Sequence, residues 1–248
     1  MKILSKHLLK LFILTLIIGL MAGTGNLFAG KDVSEYGHLS YLEGEATVTR
    51  LNKEQHKGIL NLPIAPGDII QTGAKGKCEL QFDNGTLLRL DGNTSLKVET
   101  ILASIITSNK MKLTTLRLLK GQVYVMYRPY NYELFQVLTD NAAVKFKKSS
   151  VSVIELLDSG ATRIFSERGK MTLLYGKDRD NRDYFKIKGK AGFEVLPDHS
   201  LKSSAGLDMD FMLWNRKINA EFDKLHYGKS KVPGEIFRYG KAVAHWAK

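Results

Sequence analysis

The residues able to do chemistry in this 248-residue chain are scattered. His7, His38, His56, His199, His226 and His245 stand apart, and no two have the three- or four-residue spacing of a helical metal pair. The single cysteine, Cys78, excludes an intrachain disulfide and a thiolate metal cluster. It alternates with Leu80 and Phe82, so it reads as a small core residue. No Gly-x-Ser-x-Gly elbow is present, and Gly73-Ala74-Lys75-Gly76-Lys77 lacks P-loop spacing and reads as a solvated basic turn. Asp68, Asp83 and Asp91 sit beside Gly or Asn, where an aspartate serves a turn by bonding its own backbone. Asp178, Asp180 and Asp183 lack the central Gly and late Glu of a calcium loop, and Arg179 and Arg182 intervene. No reactive set converges, so the expectation is a non-enzyme without cofactor or metal.

One segment could bind. Tyr124-Val125-Met126-Tyr127-Arg128-Pro129-Tyr130-Asn131-Tyr132 interleaves aromatic and basic residues. Tyr124, Tyr127, Arg128, Tyr130 and Tyr132 are the candidate binding residues, able to stack sugars or bases and hold an anionic group. Strand alternation places Tyr124 with Met126 on one face and Val125 with Tyr127 on the other. The plainer alternative is a strand running into a turn at Pro129.

The elements around this segment are β-strands. From Tyr41 to Leu196, short alternating runs such as Ala46-Thr47-Val48-Thr49 and Cys78-Glu79-Leu80-Gln81-Phe82 are broken by turn signals. Asn84-Gly85 and Asp91-Gly92 are turn dipeptides that readily take positive φ, and Lys120-Gly121 and Arg168-Gly169 punctuate later runs. Strands of this length, with turns at this cadence, predict an all-β body over residues 37–198. Asn52 to Gly58 reads as a polar loop, and residues 177–183 as a charged hairpin tip. After Leu207 the period changes. Phe211, Trp214, Ile218, Phe222 and Leu225 recur at three- and four-residue steps, predicting an amphipathic helix near 209–227 within a C-terminal segment 207–248. Asp208 or Asp210 caps its start and Gly228 ends it. The expected use of its apolar stripe is packing on the β body.

The start of the chain resembles an export signal. Lys2, Lys6 and Lys10 precede the apolar run Leu11–Ala22, and Ala29 offers a cleavage position. The expectation is a signal peptide over residues 1–29, with a retained anchor as the alternative, and a periplasmic or secreted product with no membrane-spanning helix. The formal charge of +12 falls to +9 once the three lysines of that segment are removed. Such a balance suits an anionic polymer, or else a solvated basic surface; nucleic acid is disfavoured as a partner.

Three blocks carry a family likeness: Gly44-Glu45-Ala46-x-Val48, then Pro66-Gly67-Asp68-x-Ile70-x-Thr72-Gly73, then Leu80-x-Phe82-x-Asn84-Gly85-Thr86-x-Leu88-x-Leu90. Their order resembles the FecR-like domain of bacterial envelope proteins. Weaker matches at Leu119-Lys120-Gly121-Gln122-Val123 and Phe135-x-Val137-x-Thr139-x-x-Ala142-x-Val144 extend it over roughly Gly37 to Leu196. Ser149-Ser150 stands where the family commonly has Gly-Thr. The resemblance implies a β-solenoid-like or rolled stack of short strands. It also implies the periplasmic module of the ferric-citrate sensor regulator, without its sigma-factor control. The function expected is a non-catalytic envelope module binding a protein or glycan partner. The alternatives are an envelope-polymer hydrolase and a purely structural or assembly protein.

Overall fold

The structure, a computed structural model, describes residues 37–106, 109–129, 133–176, 183–204 and 209–227. All lie in one unit, Ser34–Lys248. Sixteen strands are described: β1 (Gly37–Glu43), β2 (Ala46–Thr49), β3 (Gln55–Lys57), β4 (Ile69–Thr72), β5 (Lys77–Phe82), β6 (Leu87–Leu90), β7 (Ser95–Ile106) and β8 (Asn109–Tyr127). Then follow β9 (Glu133–Leu138), β10 (Ala142–Phe146), β11 (Ser150–Leu156), β12 (Thr162–Arg168), β13 (Lys170–Tyr175), β14 (Asp183–Lys188), β15 (Ala191–Val195) and β16 (Leu201–Ser203). The helix, α1, is Met209–Tyr227. It covers the span that the sequence period predicts, and it is not long and apolar enough to cross a membrane.

The strands form two ladders. Sheet A runs β1-β5-β6-β8-β11-β12-β15-β16, and sheet B runs β3-β2-β4-β7-β8-β9-β10-β13-β14. Every pairing is antiparallel except β8 with β9. Strand β8 belongs to both sheets. Its first part pairs with β7 and β9 in sheet B, and its last residues pair with β6 and β11 in sheet A. The Lys120-Gly121 turn signal is therefore a corner inside one strand. Gly121 takes φ +79°, and a Cβ there would lie 2.5 Å from the Thr94 hydroxyl oxygen. From β9 onward, hairpins alternate between the ladders: β9–β10 in B, β11–β12 in A, β13–β14 in B, β15–β16 in A. The sheet is not closed.

The inner faces share one apolar cluster. Leu39, Cys78, Leu80, Phe82, Val123, Val125 and Tyr127 come from sheet A, and Val48, Ile70, Leu116, Phe135, Val144 and Leu173 from sheet B. This is the burial that the strand alternation demands. Cys78 is fully buried, as its alternation predicts, and burial pushes its thiol up to about 12. Two turn expectations need correction. Residues 55–57, read as part of a polar loop, pair with β2 as strand β3. An exposed edge strand of Gln55, His56 and Lys57 has no apolar alternation to read, and only its backbone pairing marks it. At Asp91-Gly92 the positive φ falls on Asn93, at 54°. Gly92 is required for a different reason: a Cβ there would meet the Ala74 carbonyl oxygen at 2.3 Å.

Candidate functional site

Of the five residues of the tyrosine segment, the three that are described do not come together. Tyr124 lies on the outer face of sheet A, buried beneath α1, and its hydroxyl accepts a bond from Asn219 Nδ2 at 3.3 Å. Burial raises its pKa. Tyr127 points the other way, into the core, with ring centroids 5.5 Å from Phe135 and 5.7 Å from Phe146. Arg128 is half-buried. Its backbone N–H donates to Thr86 Oγ1 at 3.0 Å, and its carbonyl accepts from Asn84 Nδ2 at 3.2 Å. Tyr130 and Tyr132 lie outside the described residues. The opposite faces follow the alternation, but neither described ring has a free face for a ligand to stack on. The strand and the helix were both readable in the sequence; that the helix lies over Tyr124 was not.

What Tyr124 joins is a buried ionic node. The cross-strand row Tyr41, Glu79, Arg89, Tyr124, Val153 and Phe165 runs over the outer face of sheet A. Arg89 and Glu79 are both fully buried, with Nε 2.6 Å from Oε2. Ser40 Oγ donates to the other Glu79 oxygen at 2.6 Å. Helix α1 completes the node: Arg89 Nη1 donates to the Asn215 carbonyl at 3.3 Å and to its Oδ1 at 3.2 Å. The guanidinium carbon lies 5.8–6.0 Å from the ring centroids of Tyr124, Trp214 and Phe222. Phe211, Met212, Ile218 and Phe222 bury against Leu87, Met126, Val151 and Val153. At the margin, Arg216 pairs with Glu167 at 3.0 Å, and Trp214 Nε1 donates to Glu43 at 3.3 Å. Arg89 Nη1 thus ties the helix to the sheet, while Arg89 Nη2 is buried with no hydrogen-bond partner.

Motif aspartates serve the fold in the same way. Asp68 Oδ2 accepts from the Ala65 N–H at 2.8 Å, closing its own turn, and pairs with Arg50. Asp91 pairs with Lys77 and accepts from Gln122 Nε2 at 2.8 Å.

A surface not singled out by motif lies where hairpins change sheets. Three corners touch: residues 147–149 between β10 and β11, Gly169 between β12 and β13, and Gly189-Lys190 between β14 and β15. Gly189 N–H donates to the Gly169 carbonyl at 3.0 Å. Gly169 takes φ +95°, and a Cβ there would lie 2.3 Å from the Ser149 carbonyl oxygen. Only glycine fits that approach. Each corner carries lysine: Lys147-Lys148, Lys170, and Lys188 with Lys190, all exposed. Lys147, Lys148, Lys170, Lys186 and Lys188 line a groove of about 150 Å³ floored by Met171, Thr172 and Ile187. Lys170 and Lys188 are direct cross-strand partners, an arrangement in which like charges repel. None of these lysines is ion-paired among the described residues. Beside the groove, Tyr184 is 66% exposed, with Lys186 Nζ 5.8 Å from its ring centroid. The only sequence signal was lysine next to a corner residue in Lys147-Lys148-Ser149, Gly169-Lys170 and Lys188-Gly189-Lys190.

The fold thus defines a class: an all-β module of two ladders joined through β8, with a helix pinned to one outer face by a buried ion pair. Residues 68–172, under half of the chain, match the family described as FecR protein. The match is narrower than the motif likeness over 37–196, leaving out the Gly44 block and the last hairpins. Two crystal structures of a candidate anti-sigma factor from Parabacteroides distasonis are similar, at 11% and 12% identity and TM-scores of 0.45. Each covers 63% of this chain, and 73% and 74% of the other. No curated protein matches.

Proposed function

We propose that the protein is an exported, non-catalytic envelope module that binds a protein or glycan partner through a FecR-like domain. Its hairpins form a rolled, solenoid-like stack, and the apolar stripe of its amphipathic α1 is a cap over sheet A. The observation that carries this reading is the family match over residues 68–172. Within that span the conspicuous polar residues Asp68, Glu79, Arg89 and Asp91 serve turns and the helix anchor. Proteins of the matched family are regulators rather than enzymes, and a non-catalytic role is proposed here.

Two measurements test it. Amino-terminal sequencing of the protein recovered from cells should show about 29 residues removed, as the signal-like start implies; a cytoplasmic protein retaining Met1 refutes export. Purified protein incubated with peptidoglycan should be retained without releasing soluble fragments. Fragment release would make it a hydrolase. Retention by neither peptidoglycan nor a membrane-protein fraction would leave only the structural role and overturn the binding reading.

A further inference from the structure

We infer that the stacked lysine corners form a binding site for a linear polyanion, an inference that rests on the reading of the protein as an envelope-binding module. The geometry sets the charge spacing. Neighbouring strands lie about 4.8 Å apart, and alternate residues of one strand about 6.6 Å apart. Lys170 and Lys188 face each other across one ladder step, and Lys186 precedes Lys188 by two residues on β14. Lys147 and Lys148 lie on the adjoining corner. Lys170, Lys186 and Lys188 are thus held at intervals of roughly 5–7 Å, and Lys147 and Lys148 line the same groove. Those intervals fall inside a physiological Debye length of about 8 Å, so the three charges repel one another in the free protein.

Edge lysines have a second known use, which is to keep an exposed strand from pairing with another chain. That explains Lys186 and Lys188 on β14, the terminal strand of sheet B. It does not explain Lys147, Lys148 and Lys170, which sit at corners between sheets with no strand edge to guard. A single small anion would engage one or two of these charges. A chain with closely repeated phosphates or carboxylates would engage all five along the groove. The ammonium groups act as point charges and do not demand the bidentate geometry that arginine imposes. The site therefore selects charge density and linear form over a particular acid. Tyr184 at the end of the groove offers an exposed ring to the polymer's backbone.

The test is a titration of the full chain with two soluble probes, sodium polyphosphate and polygalacturonate, and with phosphatidylglycerol vesicles as a competing surface, at 50 and 200 mM salt. If five lysines are neutralised, log K falls with log salt at a slope of about −3.5, a loss of roughly 100-fold between those salts. Lys170→Glu/Lys188→Glu should weaken binding at least tenfold and flatten the slope to about −2. Lys147→Glu/Lys148→Glu should do the same, so a folding defect in one pair does not decide the matter. Lys53→Glu/Lys57→Glu changes net charge equally on the exposed β2–β3 hairpin and should leave binding intact. Binding of polyphosphate alone identifies phosphate as the recognised group, and binding of both identifies charge density; either supports the site. Equal loss in the remote variant means net charge alone, and overturns it. Binding of neither probe, or of phosphatidylglycerol vesicles only, also overturns it. Retention on peptidoglycan with unchanged affinity in the corner variants would sink the site while leaving the module reading intact.

Discussion

Arg89→Ala is the most informative single change in the fold. It removes the 2.6 Å pair with Glu79 and both bonds to Asn215, and it leaves the Glu79 carboxylate buried with Ser40 as its remaining side-chain partner. Breaking a buried pair from one side costs about 3–5 kcal/mol, because the orphaned charge keeps its desolvation penalty. For a body of this size each kcal/mol moves Tm by about 2–4 °C, so the expected fall is roughly 6–20 °C. The double variant Glu79→Leu/Arg89→Met removes both charges, and should recover most of that loss. Urea unfolding followed by intrinsic fluorescence measures the cycle, since Trp214 lies over the guanidinium. A cost below about 1 kcal/mol for Arg89→Ala, the value of an exposed pair, would refute the claim that α1 seals this node. So would a double variant no better than the single one.

Other outcomes follow from the same structure. Phe222→Ala should cost about 3–5 kcal/mol by opening a cavity between α1 and sheet A, read from the same urea midpoint. Gly169→Ala should lower Tm by several degrees, because φ +95° and the Ser149 carbonyl 2.3 Å from the new Cβ both oppose it. Cys78, fully buried with its thiol pushed up to about 12, should resist alkylation at pH 8 in the folded protein and react once urea unfolds it. Burial lowers the pKa of His38 below 6.5, partly offset by Glu79. Its neutral form is favoured in the folded state, so its contribution is complete above pH 6.5 and is lost as pH falls through the lower folded value. His38→Gln should flatten the acid limb of the stability–pH curve, measured by urea midpoints.

The legible parts were those set by local pattern. Alternation in Cys78–Phe82 and the helical period from Phe211 to Phe222 each depend on residues a few positions apart, and the structure places both elements accordingly. Gly85 takes positive φ at 78°, as Asn84-Gly85 implies. Tertiary consequences were not legible. Glu79 and Arg89 look like ordinary solvent-facing strand residues until α1, 126 positions from Arg89 at Asn215, covers them. Asn141 reads as a turn residue, yet its Nδ2 donates to the carbonyls of Gly160, Val195 and Leu196, tying three hairpin turns together. The lysine groove was hidden for the same reason. Lys147, Lys170 and Lys188 are about twenty residues apart, and they meet only because each hairpin changes sheet at a corner stacked on the last.

The central claim is that this FecR-like module holds an envelope partner without turning it over, and co-sedimentation with insoluble envelope material tests it most directly. Wild type and Lys170→Glu/Lys188→Glu would be compared at 50 and 200 mM salt, with soluble polymer measured in every supernatant. Wild type should sediment at low salt, the reversed variant should remain in solution, and soluble polymer should not rise in either. Failure of the wild type to sediment at low salt, or a growing soluble fraction, would contradict the account, whereas equal sedimentation of both proteins would overturn the lysine site alone.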